Sequence, residues 1–163
     1  MIVVPDAGPL IYLAGADRLD LLPRLFDRVV VPRVVYDEIV VAGAGLMGSA
    51  AVSAASWIEV EEAPPDDLLA RTLDRGEAAA IPLAERLAAT LLCDDAAARS
   101  EARRRGIPVV GTLGVLRLAK DRGLLDRIRP VIEAMRAAGM FVSEALVQEV
   151  LATAAEWDDE PTG

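Results

Sequence analysis

Short apolar runs rich in β-branched residues alternate along this sequence with segments whose apolar residues recur at helical spacing. Strands that alternate with helices pair in parallel, because each helical crossover returns the chain to the same end of the sheet. We therefore predict an α/β fold in which helices cover a central parallel sheet. The predicted strands are Ile2 to Pro5, Arg28 to Val31, Thr90 to Cys93 and Pro108 to Val110, with a further short edge strand at Trp57 to Glu61.

One predicted helix contains a proline beyond its first turn. Pro82 lies within the helical pattern of Glu77 to Ala89, where a proline removes a backbone hydrogen bond and clashes with the preceding turn. Either this helix kinks at the proline or its regular part begins near Ile81. Further helices are predicted at Leu19 to Phe26, Arg33 to Val41 and Ala96 to Arg105.

The length of the chain suits one compact domain. With 163 residues, 53% of them hydrophobic, it can bury a sizeable core and is too short for two typical domains. We place this domain at residues 1–157. Its last third is predicted to form three helices broken at Gly123 and Gly139, with Ser143 as the N-cap of the last. The acidic tail 158–163 is predicted to be disordered.

An uncharged stretch from Ile39 to Ile58 has about the length of a membrane-spanning helix. It consists largely of glycine, alanine and serine, and it is bounded by Glu38 and Glu59 rather than by basic residues. We interpret it instead as a helix end, a glycine-rich connection and a small-residue helix, Met47 to Ala55. This helix would pack closely on the domain or on a partner chain.

The residue types in the chain limit its chemistry. It contains no histidine and one cysteine, Cys93, which excludes an internal disulfide, a multi-cysteine metal site and the commonest general base. Catalytic groups must come from carboxylates, hydroxyls, arginines, the lone lysine or the backbone. No basic segment precedes the short N-terminal apolar run, so we expect no signal peptide and a cytoplasmic location.

Acidic residues follow two predicted strands and lie in the neighbouring helices. Asp6 ends the first strand, and Asp94 and Asp95 follow the third; in a parallel sheet these positions meet at one edge. Each acid also has a simpler structural interpretation. Asp95 or Asp94 would cap the next helix, Glu77 would be stabilised by a helix dipole, and Glu38 would be a solvated helix position.

Convergence of several carboxylates would favour a bound cation, because they cannot all stay ionised side by side without one. Oxygen ligands without histidine or cysteine suit Mg²⁺ or Mn²⁺ rather than zinc or copper. Such an ion, by lowering the pKa of a bound water and neutralising charge on a phosphate, supports hydrolysis of phosphodiesters. The absence of histidine is then no obstacle.

Five segments in a fixed order resemble PIN domains, specifically the bacterial and archaeal subgroup related to toxin-antitoxin ribonucleases. The resemblance covers about residues 2–152. It implies a Rossmann-like three-layer α/β/α sandwich with a central parallel sheet, an acidic Mg²⁺-dependent nuclease site and a homodimer. The segments are VVPDAGPLIYLA, VPRVVYDEI, DRGEAAAIPLA, LLCDDAAARSEARRRGI and VVGTLGVLRLAKDRGLL.

The same resemblance assigns site residues position by position. It makes four acids catalytic metal ligands, with Asp95 as a further candidate; the four are Asp6, Glu38, Glu77 and Asp94.

The sequence departs from the family pattern at two places. Ala7 and Gly8 stand where many members have a hydroxyl residue, and we expect Gly8 to leave room for the backbone beside Asp6. Gly111 and Thr112 stand where many members have another acid, so Thr112 is a candidate to supply a hydroxyl to the substrate.

Arginines follow the acidic edge. Arg99 and Arg103 lie on one helical face, from which they can contact substrate phosphates, whereas Arg103 to Arg105 can equally complement a helix C-terminus. The net charge of −9 argues against a nucleic-acid partner, but acids that surround a cation inflate this total.

Two functions stay open at this point. The first is a Mg²⁺- or Mn²⁺-dependent endoribonuclease, the toxin of a toxin-antitoxin pair, with an RNA substrate and a cognate antitoxin as partners. The second is a catalytically weak binding module that acts on a protein partner through the small-residue segment Gly43 to Ala55 or through the C-terminal helices.

Overall fold

The computed structural model describes residues 1–156, whose strands form one sheet in the order β3-β2-β1-β4-β5. Every neighbouring pair in this sheet is parallel, as the alternation of strands and helices predicts. The edge strand expected at Trp57 to Glu61 is confirmed as β3. The strands are β1 (Ile2–Pro5), β2 (Arg28–Pro32), β3 (Ile58–Glu61), β4 (Thr90–Leu92) and β5 (Val109–Val110).

Helices fill the connections between the strands and the C-terminal part of the described chain. Two shorter elements interrupt them, a π-helical turn at Glu38–Ala42 and a 3-10 turn at Leu69–Arg71. The α-helices are α1 (Ala7–Gly15), α2 (Leu21–Leu25), α3 (Arg33–Asp37), α4 (Ser49–Ala54), α5 (Arg75–Arg86), α6 (Ala96–Arg104), α7 (Thr112–Asp121), α8 (Arg129–Ala137) and α9 (Glu144–Thr153).

Two hydrophobic cores lie on opposite faces of the sheet, because successive side chains of a strand point to opposite sides. In β1, Val3 faces one core and Val4 the other, and both are fully buried. The first core packs the sheet against α1, α2, α7, α8 and α9, and the second packs it against α5 and α6. This is the expected three-layer α/β/α sandwich.

Helix α1 is absent from the predicted elements. Its sequence, AGPLIYLAG, is apolar on nearly every side, so no polar face marks a helical period. Pro9 is compatible with the helix because it falls within the first turn, where the backbone N–H has no partner inside the helix.

The expectation that the regular part of the next long helix begins near Ile81 is wrong. Helix α5 begins at Arg75 and continues through Pro82 to Arg86. A capping box formed by Asp74 and Glu77 at its start explains why it begins before the proline.

The C-terminal third forms the three predicted helices α7, α8 and α9. Gly123 and Gly139 lie between them, and the Ser143 hydroxyl accepts a hydrogen bond from the N–H of Leu146 at 3.2 Å, which confirms the N-cap. Trp157 and the predicted disordered tail 158–163 lie outside the described residues.

The uncharged stretch 39–58 is broken into short elements. It runs from the π-helical turn through a glycine-rich connection into α4 and on to the start of β3. Helix α4 packs on the domain through Val52, which is fully buried. None of the helices in residues 1–156 combines the length and the apolar character that crossing a membrane requires.

Candidate functional site

The carboxyl ends of β1 and β4 lie side by side and begin the candidate site. Pro5 pairs with Leu92 in the sheet, and the backbone N–H of Asp6 donates to the Leu92 carbonyl at 2.9 Å. Asp6 therefore leaves the sheet next to the segment that carries Asp94 and Asp95, as parallel pairing predicts.

The Asp6 side chain is partly buried and does not cap the helix that follows. Asp6 is the N-cap residue of α1, yet its carboxylate makes no capping hydrogen bond. Burial is the main cause that raises its pKa to about 7. The N–H of Ala7 opposes this change, whereas three neighbouring carboxylates add to it: Asp74, Glu38 and Asp94. A carboxylate in these surroundings gains from a shared cation.

Helix α5 places a second buried acid beside Asp6. Its first turn is a capping box in which the N–H of Glu77 donates to Oδ1 of Asp74 at 2.8 Å and the N–H of Asp74 donates to Oε2 of Glu77 at 3.2 Å. Glu77 is only 7% exposed. Burial, followed by the charge of Asp74, raises the pKa of Glu77 to about 7.

Gly76 determines how closely α5 approaches β1. A Cβ on Gly76 would lie 3.0 Å from Oδ1 of Asp6 and 3.2 Å from Cγ2 of Val35, closer than unstrained packing allows. A Cβ on Gly8 would meet only Tyr12, at an ordinary 3.7 Å. The room beside Asp6 therefore comes from Gly76, and the expectation that Gly8 provides it is wrong.

Cys93 completes a compact group of ligand atoms. One carboxylate oxygen from each of Asp6 and Glu77 and the sulfur of Cys93 all lie within 4.8 Å of one another. Burial raises the pKa of the Cys93 thiol, and the charge of Asp6 raises it further. The sulfur is therefore protonated at neutral pH and a poor ligand, which leaves the two carboxylates to bind a cation.

Glu38 lies at the outer side of this group. It is exposed at the start of the π-helical turn, and it lines a groove of 490 Å³ together with Asp74 and Gly76. Partial burial and then the charge of Asp74 raise the pKa of its carboxyl group. Glu38 is near enough to raise the pKa of Asp6, but it lies outside the group within 4.8 Å.

Asp94 occupies the opposite flank and is held by the start of α7. The Thr112 N–H donates to its Oδ1 at 2.7 Å, and the Thr112 hydroxyl donates to its Oδ2 at 2.6 Å. Thr112 is fully buried. The structure thus corrects the expectation that Thr112 supplies a hydroxyl to the substrate, because that hydroxyl orients Asp94.

Arg99 lies against the same backbone. Its Nη1 donates to the Cys93 carbonyl at 3.0 Å. A Cβ on Gly111 would lie 2.7 Å from this Nη1 and 2.9 Å from Oδ1 of Asp94. The absence of a side chain at Gly111 therefore leaves room for both the Arg99 guanidinium and the Asp94 carboxylate at the end of β5.

A family model described as a PIN domain, DUF3368, matches residues 2–156. This chain belongs to the PIN-domain family. A PilT N-terminus domain protein from the hyperthermophilic archaeon Sulfolobus solfataricus P2 is 13% identical over 88% of this chain and 98% of its own, with a TM-score of 0.46. The comparison with curated proteins gave no match.

The acids of this PIN domain fall into an inner pair and two flanking groups. Asp6 and Glu77 form the inner pair, and Glu38 and Asp94 flank it. Sequence reasoning missed Asp74, whose charge acts on three of these acids. Its signal is the D-x-x-E spacing before an apolar helix, the pattern of a capping box.

Of the remaining predicted residues of this PIN domain, all but Arg103 have structural partners among the described residues. Oδ2 of Asp95 accepts from the N–H of Ala98 at 3.0 Å, so Asp95 is the N-cap of α6, the simpler of its two interpretations. Arg104 pairs with Glu101 at 2.6 Å. Arg105 bonds Glu101 and, through a second nitrogen, Glu85. Arg103 is exposed, and none of the ion pairs between described residues includes it.

The three acids closest to the sheet edge form no ion pairs with other described residues. None of the ion pairs between the described residues includes Asp6, Glu77 or Asp94. The carboxylate oxygens of Asp6 and Glu77, which lie close together without an ion-pair partner among the described residues, fit a hard divalent cation. The donor set of this PIN domain is therefore suited to hold a metal ion.

Proposed function

We propose that this PIN domain is a Mg²⁺- or Mn²⁺-dependent endoribonuclease. The observation that supports this most is the inner pair of Asp6 and Glu77, whose carboxyl groups each have a pKa raised to about 7. They lie together without a cationic partner among the described residues. Such a pair takes up a divalent cation in exchange for protons near neutral pH.

In this proposal Asp6 and Glu77 would hold the cation, together with the flanking acids Glu38 and Asp94. A divalent cation held there would lower the pKa of a bound water and neutralise charge on the scissile phosphodiester. Thr112 keeps both oxygens of Asp94 oriented. Asp95 stays a further candidate ligand, because the cap of α6 occupies only its Oδ2 and its charge acts on Glu77.

Arginines beside the acids serve the phosphates of the substrate. Arg99 lies at the end of β5 next to Asp94, and Arg103 follows one helical turn later on the same face of α6. Arg103 is exposed and outside the ion pairs of the described residues, so it is available to an RNA phosphate.

We further propose that the protein is the toxin of a toxin-antitoxin pair and a cytoplasmic homodimer. The family resemblance supports this, together with a patch of exposed apolar side chains within residues 41–47, of which Val41 lines the Glu38 groove. Val41, Leu46 and Met47 are 66%, 70% and 46% exposed. An antitoxin seated on this patch would cover the approach to Glu38. The same patch favours the second candidate function, a binding module without strong catalysis.

Cleavage of a panel of labelled single-stranded RNAs tests the enzymatic proposal. We expect cleavage with Mn²⁺ or Mg²⁺, none with EDTA, and a loss of about 100-fold or more in Asp6→Asn. Asp67→Asn, which changes an exposed acid outside the site, should cleave normally. If no RNA is cleaved, and Asp6→Asn inhibits growth on expression as strongly as the wild type, the proposal is wrong and the binding module stands.

A further inference from the structure

A second groove begins at the candidate active site and leads away from the inner pair of acids. Its volume is 620 Å³, within the range of about 300–1,000 Å³ typical of ligand pockets. Asp94 and Arg99 line its inner end, the end of β5 and the start of α7 form one wall, and the segment between α8 and α9 with the first turns of α9 forms the other.

Phe141 stands at this groove with its ring in solvent. It is 94% exposed, whereas Phe26, the other phenylalanine of the chain, is 3% exposed and lies in the core. Leu146, 44% exposed, lines the same groove. An aromatic ring left in water contributes nothing to the core, and an exposed apolar patch at a groove marks a binding surface.

The inner end of the groove differs from its walls because it is charged. The Arg99 guanidinium is fixed by one hydrogen bond to the Cys93 carbonyl, and none of the ion pairs between described residues includes it. Its other N–H groups remain available for an anion. Asp94, a proposed metal ligand, is beside it at Gly111.

We propose that this groove binds one nucleobase of a single-stranded RNA, stacked on Phe141, while Arg99 contacts the phosphate that links this nucleotide to the scissile position. The identity of the substrate rests on the proposed function. A nucleotide matches the groove because it joins a flat apolar base to an anionic phosphate. The base would lie at Phe141 and the phosphate at Arg99, which line the same groove. A base paired in an A-form duplex cannot enter, since its faces are stacked.

Fluorescence anisotropy of labelled RNA tests the groove without cleavage. The measurement uses the full-length protein in EDTA at low salt, with a mixed-sequence single strand and its duplex as probes. Stacking of one base on an aromatic side chain predicts that Phe141→Ala weakens single-strand binding by about 5-fold or more. Phe141→Tyr should bind like the wild type. Leu68→Ala, which removes a 70% exposed apolar side chain outside the groove, should also be unchanged.

The outcomes separate this inference from the proposed function. Phe141-dependent binding of single strands supports the groove even if no RNA is cleaved, in which case only the catalytic proposal fails. Equal affinity of Phe141→Ala and the wild type, or equal dependence of duplex binding on Phe141, would overturn it. So would a loss of RNA binding that accompanies a change in oligomeric mass by light scattering, since the groove would then be an interface between copies.

Discussion

Thr112 holds both carboxylate oxygens of Asp94, through its backbone N–H at 2.7 Å and its hydroxyl at 2.6 Å. These hydrogen bonds join the first turn of α7 to the end of β4, which are 18 residues apart in sequence. Thr112 is fully buried, so a side chain fixed in the core holds the exposed carboxylate of Asp94. Asp94 is thus presented to the site in one orientation.

Thr112→Val tests this link, because valine has nearly the same shape and lacks the hydroxyl. We expect Mn²⁺ affinity and RNA cleavage to fall about tenfold, and the free energy of unfolding to fall by about 1–3 kcal/mol, the cost of a hydrogen bond to a charged group. Thr112→Ser keeps the hydroxyl and should retain most of the affinity. Titration calorimetry and urea unfolding measure both quantities, and an unchanged Thr112→Val protein would show that the hydroxyl does not position Asp94.

Gly111→Ala should separate activity from stability. The backbone at Gly111, with φ −94° and ψ 174°, suits alanine, but the new Cβ would lie 2.7 Å from Nη1 of Arg99 and 2.9 Å from Oδ1 of Asp94. We expect cleavage to fall about tenfold or more while the free energy of unfolding changes by less than about 1 kcal/mol, since Arg99 can swing aside.

Gly8→Ala is the matched control for that substitution, because its Cβ would make only an ordinary contact with Tyr12. Steady-state cleavage rates and thermal unfolding of the two variants give the comparison. Equal loss of activity in both variants would show that the effect is not specific to the Arg99–Asp94 approach.

Stability without metal should depend on pH through the inner pair. Asp6 and Glu77 have pKa values raised to about 7 in the folded protein, against about 4 in an unfolded chain. The folded state therefore binds more protons between about pH 4 and 7, and stability is lost as pH rises through this window.

Asp6→Asn should reduce the loss of stability that accompanies rising pH. In EDTA at pH 8 we expect the variant to be more stable than the wild type by about 1–2 kcal/mol, with little difference at pH 4. Adding Mn²⁺ should stabilise the wild type and leave the variant nearly unchanged. Denaturant unfolding at the two pH values decides this; a variant that is less stable at pH 8 would contradict the assigned burial of the Asp6 charge.

Asp74→Asn should move the pH dependence of metal binding. Asparagine is as good an N-cap as aspartate, so α5 should be unaffected, but the negative charge that raises the pKa of Glu77 and Asp6 is removed. We expect the midpoint of Mn²⁺ binding against pH to shift downward, with affinity at pH 8 changed by less than about threefold. A large loss of affinity at pH 8 would instead identify Asp74 as a ligand.

The sequence predicts the sheet well because its strands carry strong local signals. Asp6 and Asp94 are placed correctly by one argument, that parallel strands end at a common edge. Helix α1 is not predicted, because a helix that is apolar on nearly all sides has no polar face to mark its period. Asp74 is not predicted, because its capping role depends on where α5 begins. Pro82 in the sequence favours a later start of that helix.

Contacts between distant segments are beyond pattern reasoning. The approach of Gly76 to Asp6 depends on how α5 docks on the sheet, and the exposure of Phe141 depends on the path between α8 and α9. Thr112 illustrates the limit most clearly, since a hydroxyl at the sheet edge suits both a substrate contact and a hydrogen bond to a neighbouring acid. The described structure favours the second.

Mn²⁺ titration of the purified protein at pH 8, followed by calorimetry, tests the central claim most directly. The variants are Asp6→Asn, Glu77→Gln and Asp94→Asn, with Asp67→Asn as the control for loss of one exposed charge. The account predicts that the wild type and Asp67→Asn bind Mn²⁺ equally, and that each of the other three binds at least about tenfold more weakly. If Asp6→Asn and Glu77→Gln bind Mn²⁺ as tightly as the wild type does, the account is contradicted, because the inner pair would then not be a metal site.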